Sequence, residues 1–194
     1  GQARVHVMQH PAGRRQPPPR QVDPARSQGA VRLIHAARDA GQCAIAETCP
    51  QYLLFADDVY FGPRAEWYIM QPPIRPDDLR QELWNLVSQN AVDSIGTDHC
   101  DYSLAQKRAT GQFTSTPGGI PGVETMLPLL YTYGVEAGRL SLERLVALTS
   151  TNPARVYGLY PRKGSLAPGA DGDVVVYDPR GRGSIEAAAQ HTIG

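Results

Sequence analysis

The apolar and polar positions fall into short blocks whose period changes along the chain. Residues 4–8 (RVHVM) alternate and carry two valines, as a short strand does. Residues 9–28 (QHPAGRRQPPPRQVDPARSQ) hold almost no large apolar side chains. Their prolines and arginines predict an exposed, disordered insert that packs no core. In 29–41, Val31, Ile34 and Ala37 step by three with Leu33 beside them, which predicts a helix stopped by Gly41. Residues 42–48 (QCAIAET) predict a buried strand, and CPQYLLF turns away through Pro50. Another strand is expected over 66–71, ended by Pro72 and Pro73. Residues 76–89 (PDDLRQELWNLVSQ) predict a helix. Pro76 starts it, Asp77 and Asp78 suit its positive end, and Leu79, Leu83 and Leu86 share a face with Trp84 and Val87 alongside. AVDSIG, 91–96, is the next strand.

Strands and helices therefore alternate through the middle of the chain. That pattern predicts parallel strands covered by helices, an α/β architecture. The polar stretch 101–116 has the length of an active-site loop or lid. TPGGIPG, 116–122, is too rich in Gly and Pro for a regular element and can bring backbone amides close to a ligand; a plain connector would look the same. Helices are expected over 123–138 and 140–150, and a short one is capped by Thr151 or Asn152 with Pro153 early inside. A β-rich run at 173–177 then predicts a strand of a second, all-β subdomain.

Composition mainly excludes. Lys+Arg and Asp+Glu are both 19, so a zero net charge offers no footprint for nucleic acid or an anionic membrane. No apolar run approaches the roughly 20 residues of a membrane span, and no secretory signal opens the chain. Cys43, Cys49 and Cys100 are odd in number and unclustered, which suggests reduced thiols and a cytoplasmic location. The first residue is Gly and leads straight into a strand-like run, so the chain is expected to be a piece of a longer protein.

One stretch invites chemistry. SIGTDHC, 94–100, places a carboxylate, an imidazole and a thiol in a row where a strand ends. A metal site and a polar turn capping the strand both fit that pattern. In a β/α barrel the reacting groups lie at the C-terminal ends of strands. Asp98 stands at such an end, and so would Gln9 and His10 after RVHVM.

Four stretches taken together, ETCPQYLLF (47–55), SIGTDHC (94–100), TPGGIPGVETMLPLLY (116–131) and LTSTNPARVYGLYPRKGSLAPGADGDVVVYDP (148–179), resemble the C-terminal half of a cyclic amidohydrolase of the dihydropyrimidinase and D-hydantoinase group. The resemblance implies the C-terminal part of a (β/α)8 TIM-type barrel over 1–160, interrupted by the insert, and part of a small β-sandwich over 161–194. It implies a binuclear zinc centre bridged by a carboxylated lysine and a hydroxide. The reaction implied is hydrolysis of a dihydropyrimidine or hydantoin ring, in a full-length protein that is a homotetramer. Asp98 matches the aspartate that binds one metal and carries the proton from the attacking hydroxide to the leaving nitrogen. His99 and Cys100 then support or pack. Gln71 before Pro72, and Gly118 before Gly119, match positions that hold the ring imide through backbone contacts.

The chain also departs from that pattern. The HxH of the first strand, the lysine and the fifth-strand histidine would all lie before Gly1. The sixth strand should end in a metal-binding histidine, but position 9 is Gln9 and His10 follows one step late. A one-residue shift turns a strand side chain to the opposite face. His10 is nonetheless the candidate second metal ligand. The altered position leaves a non-catalytic dihydropyrimidinase-related scaffold as an alternative, with allantoinase or dihydroorotase chemistry behind it.

Overall fold

The computed structural model describes residues 4–7, 27–108 and 111–192. Among these, three strands form one sheet in chain order: β1 (Arg4–Val7), β2 (Ala44–Thr48) and β3 (Ser94–Ile95). β2 and β3 run parallel, with Glu47 opposite Ser94 and Thr48 opposite Ile95. Their crossover carries α2 (Pro50–Leu54) and α3 (Asp77–Ser88), as a parallel pair requires.

β1 differs from the expected parallel arrangement. It pairs antiparallel with β2, Arg4 opposite Glu47 and Val7 opposite Ala44. Alternation marks which face of a strand is apolar but carries no information about its direction. The long connection from β1 to α1 (Ser27–Asp39) permits either. α1 starts at Ser27, so the final two residues of the predicted insert are helical. Gln9, His10 and the insert up to residue 26 lie outside the described residues.

The main core gathers Tyr52 and Leu53 of α2, Leu83, Trp84 and Val87 of α3, and Val92 and Ile95 around β3. Three helical segments cover them. α5 (Met126–Leu130) continues as a π-helical turn, Tyr131–Glu136. α6 (Leu142–Val146) and α7 (Asn152–Val156) are joined by another, Ala147–Thr151. Leu130, Leu140, Leu145 and Leu148 close the core from this side. On β2, Ala44, Ala46 and Thr48 are buried while Ile45 and Glu47 are half-buried, the alternation of a strand with two unlike faces. Ala44 and Ala46 pack beneath Ile34 of α1. Asp93 fastens β2 to β3: its Oδ2 accepts from the Ala46 amide at 2.7 Å and from Arg38 Nη2. Arg144 of α6 donates to the Val87 and Val92 carbonyls and holds the outer helices to the same edge.

Two further expectations change. The run predicted as a strand over 66–71 is a 3-10 turn, Ala65–Tyr68, followed by extended chain. The Trp67 ring lies under the guanidinium groups of Arg64 and Arg108, 4.6 and 5.4 Å from its centroid, so its apolar bulk is covered without a sheet. Residues 173–177 make no ladder with any described strand, and Val174, Val175 and Val176 are exposed. A strand needs a neighbour for its amides and carbonyls, and no described segment lies alongside as one. The end of the chain is tied instead by side chains. The Tyr177 ring sits 4.6 Å from that of Tyr131, Arg182 Nη2 reaches Glu136 at 3.0 Å, and His191 pairs with Glu124. No helix of the described residues is long and apolar enough to cross a membrane.

Candidate active site

β3 ends in a turn that fixes Asp98. The Gly96 amide donates to the Thr48 carbonyl at 3.0 Å, so the chain stays in step with the end of β2 for one more residue. The buried Gln51 side chain, from the first turn of α2, donates from Nε2 to the Thr97 carbonyl at 3.3 Å. Asp98 then takes φ +48°, in the left-handed region that Asp tolerates better than most residues. The chain resumes at His99, which bridges Ile120, and the Cys100 amide donates to the Ile120 carbonyl at 3.1 Å. Asp98 is half-buried at the C-terminal end of a parallel strand, on a backbone held from both sides.

His99 serves the neighbouring loop. Its Nδ1 accepts from the Gly122 amide at 3.1 Å and lies 3.4 Å from the Val123 amide. An Nδ1 that accepts carries no proton, which assigns the ring proton of the neutral imidazole to Nε2.

Gln71, Gly118 and Gly119 come together. A Cβ on Gly118 would stand 3.3 Å from Gln71 Cγ, and the Gly119 amide donates to the Ile69 carbonyl at 3.0 Å. Gly119 is buried at φ +138°, and a Cβ there would overlap Cys100 Sγ at 2.5 Å. The glycine is thus required twice, by its backbone conformation and by the close approach of the thiol. The loop 116–122 therefore rests on the TDHC turn through Cys100, His99 and Ile120, and on the Pro-Pro turn through Ile69 and Gln71.

Two residues here escaped the sequence reading. Glu47 sits at the end of β2 on its less buried face. Its Oε2 accepts from Ser94 Oγ at 2.9 Å, and its carboxylate lies over Gly96, where a Cβ would stand 3.1 Å from it. An acidic residue at an alternating position of an otherwise apolar strand was the available signal. Lys107, on the short helix α4 (Leu104–Arg108), is buried, and its Nζ donates to the Ile69 carbonyl at 2.7 Å. Burial pushes its ammonium below the usual lysine value, with the nearby Cys100 acting in the opposite sense. Nothing in the local pattern marks that lysine as buried.

Among the described residues, no three His, Cys, Asp or Glu side chains gather into a group that could hold a metal ion. With His99 Nδ1 taken by the loop, the described residues do not by themselves fit a binuclear centre. His10 lies outside the described residues.

Comparison with known proteins follows the same lines. Residues 28–192 match the amidohydrolase family. A D-phenylhydantoinase of Escherichia coli O1:K1 / APEC is 45% identical over 160 residues, 81% of this chain and 35% of that protein. The solved D-hydantoinase (dihydropyrimidinase) from Thermus sp. superposes with TM-score 0.80 at 40% identity, over 84% of this chain and 36% of that one. The L-hydantoinase (dihydropyrimidinase) from Arthrobacter aurescens gives 0.68 at 37% identity, over 75% and 32%. The chain spans about a third of the length of these relatives, and its α/β fold corresponds to part of their barrel. On a match that runs through most of its residues, the chain belongs to the amidohydrolase family.

Proposed function

We propose that this chain is the C-terminal portion of a metal-dependent hydrolase that opens cyclic amides of the hydantoin or dihydropyrimidine type. The observation that carries this is Asp98. It is a carboxylate set in a left-handed turn at the end of a parallel strand, beside a loop of backbone amides anchored to the same turn. In ring opening, water adds to the amide carbonyl and loses a proton, and the ring nitrogen gains one as the C–N bond breaks. A carboxylate beside the reacting carbon can accept the first proton and deliver the second. In this reading the imide edge of the ring, which offers both donors and acceptors, lies against the backbone around Gln71, Gly118 and Gly119, where the Gly119 amide itself is bonded to the Ile69 carbonyl. A bound metal supplies a strong nucleophile at neutral pH. We propose zinc, two ions per chain, with Asp98 and His10 as the ligands contributed from this chain and the other ligands from elsewhere in the complete protein.

The test is the Asp98→Ala protein, made in the complete polypeptide and assayed with hydantoin, 5-phenylhydantoin and dihydrouracil. We expect kcat to fall by about 10²–10⁴-fold, the scale of a lost general acid–base. Turnover unchanged by the substitution would end this reading.

Gln9, at the position where the resemblance expects a histidine, favours a second reading, a non-catalytic scaffold of the same fold. Zinc content separates them: about two ions per chain for the hydrolase and none for the scaffold. We further propose a homotetramer in the cytoplasm. Residues 161–194 would contribute the Val174–Val176 run to a β-sandwich completed by other parts of the protein, with 1–160 as the barrel portion.

A further inference from the structure

We infer that Lys107 is a positioning residue: its ammonium and the Gly119 amide share the carbonyl of Ile69, and that one carbonyl locks the turn bearing Gln71 to the loop bearing Gly118 and Gly119. The two donors stand 2.7 and 3.0 Å from the oxygen. This inference rests on the reading of those three residues as the holders of the ring.

α4 is inside out. Its Leu104 is 41% exposed, while its Lys107 is 3% exposed. A short surface helix ordinarily turns its leucine inward and lets its lysine extend along the surface to water. If filling space were all this position required, an apolar side chain would do it without desolvating a charge. A lysine does one thing a leucine or methionine cannot, which is to reach a carbonyl as a cationic donor.

The carbonyl it reaches is well chosen. Ile69 precedes Gln71 by two residues, so fixing its oxygen fixes the entry to the Pro-Pro turn. The same oxygen takes the amide of Gly119, whose neighbour Gly118 lies against Gln71. The loop's other side is held by the Cys100 amide on Ile120 and by His99 on the Gly122 amide. Lys107 thus joins the 101–108 segment to the Ile69 carbonyl, on which the Gly119 loop also hangs, while Tyr102 lies beside Gly119 and Arg108 pairs with Glu66. Lys107 touches neither the ring nor the reacting atoms.

The experiment uses Lys107→Met in the complete protein, which keeps the length of the side chain and removes the donor. KM for the cyclic amide is expected to rise by about tenfold or more, the scale of one charge-assisted hydrogen bond, with kcat changed less than about threefold. Zinc content should be unchanged. Amide exchange in peptides covering 117–122 should accelerate by a similar factor, while α3 peptides stay protected. Lys107→Arg retains a cationic donor and should restore both KM and protection. If the Met protein does not fold, Lys107→Gln takes its place, since its amide falls short of the carbonyl. A folded Met or Gln protein with wild-type KM and wild-type exchange overturns the inference. So does a folded Arg protein as impaired as the Met one, or a loss confined to kcat. Faster exchange at 117–122 in a protein that never turned over any cyclic amide would uphold the lock and reject the hydrolase reading instead.

Discussion

An alanine at position 119 would place its Cβ 2.5 Å from Cys100 Sγ and 2.6 Å from Cys100 Cβ. The sulfur could rotate away. The Cys100 Cβ could not, because the Cys100 amide is bonded to the Ile120 carbonyl and its backbone is held. The substitution therefore meets two separate costs. At φ +138° an L-residue sits in territory that is nearly exclusive to glycine, which costs about 1–3 kcal/mol. Overpacking against the Cys100 side chain adds about 1–3 kcal/mol. The sum for Gly119→Ala is about 2–6 kcal/mol, felt first as loosening of loop 116–122. The two costs can be separated, because Cys100→Gly removes both overlapping atoms and leaves the φ term. In a double-mutant cycle, the pair should then be more stable than the sum of the single effects by about 1–3 kcal/mol. Urea unfolding of the complete protein, read from its midpoint and slope, supplies the four free energies. A single-substitution effect below about 0.5 kcal/mol, typical of a surface change, would show that nothing presses on Gly119. Strict additivity would show that Cys100 is not what presses.

Two other perturbations test the frame around the site. Asp93→Asn gives an oxygen that can accept from the Ala46 amide but leaves Arg38 without its carboxylate; the loss should be about 1.5–3 kcal/mol in the same denaturation assay. The Glu124–His191 pair should pin the end of the chain only within a pH window. Hydrogen bonding to His191 holds the Glu124 carboxyl below its usual range, so this contribution is present above the ordinary glutamate value and is lost as pH falls through the lowered one. Glu124 raises the His191 imidazole, so that contribution is complete below the ordinary histidine value and is lost as pH rises through the raised one. An NMR titration of the His191 ring should give a pKa above the ordinary histidine value that returns to it in Glu124→Gln; a ring that titrates identically in both proteins would remove the contact.

What could be read from the chain was periodicity with punctuation. α3 is a case where every local signal agrees: Pro76 ahead of it, two aspartates in the first turn, and Leu83, Trp84 and Val87 buried on the expected face. β2 followed in the same way from QCAIAET. Where the reading failed, the missing information was the partner. Residues 66–71 have the aromatic and branched composition of a strand, yet the Ile69 carbonyl is taken by Lys107 and Gly119, not by a neighbouring strand. The valines at 174–176 have strand composition and no described strand to join. The direction of β1 was equally beyond reach, since a four-residue alternation reads the same both ways.

The candidate site was legible to the degree that it depends on residues whose chemistry shows at a glance. Asp98 announces itself by type and by its place after a strand, and Gly118 and Gly119 by their density in TPGGIPG. The bonds that hold these positions together run mostly through main-chain groups: the Thr97, Ile69 and Ile120 carbonyls, and the Gly119, Gly122 and Cys100 amides. Such bonds leave no mark on residue identity except where a Cβ cannot be accommodated, which is why glycine carries the signal and its partners do not. Lys107 is the exception that sequence could not reveal. A lysine is expected outside, and only the three-dimensional position of one carbonyl explains why this one is within. If ring recognition is built on the main chain, side-chain substitutions around Gln71 should alter affinity modestly. Changes that move the Ile69 carbonyl should alter it severely, whatever residue stands at 71.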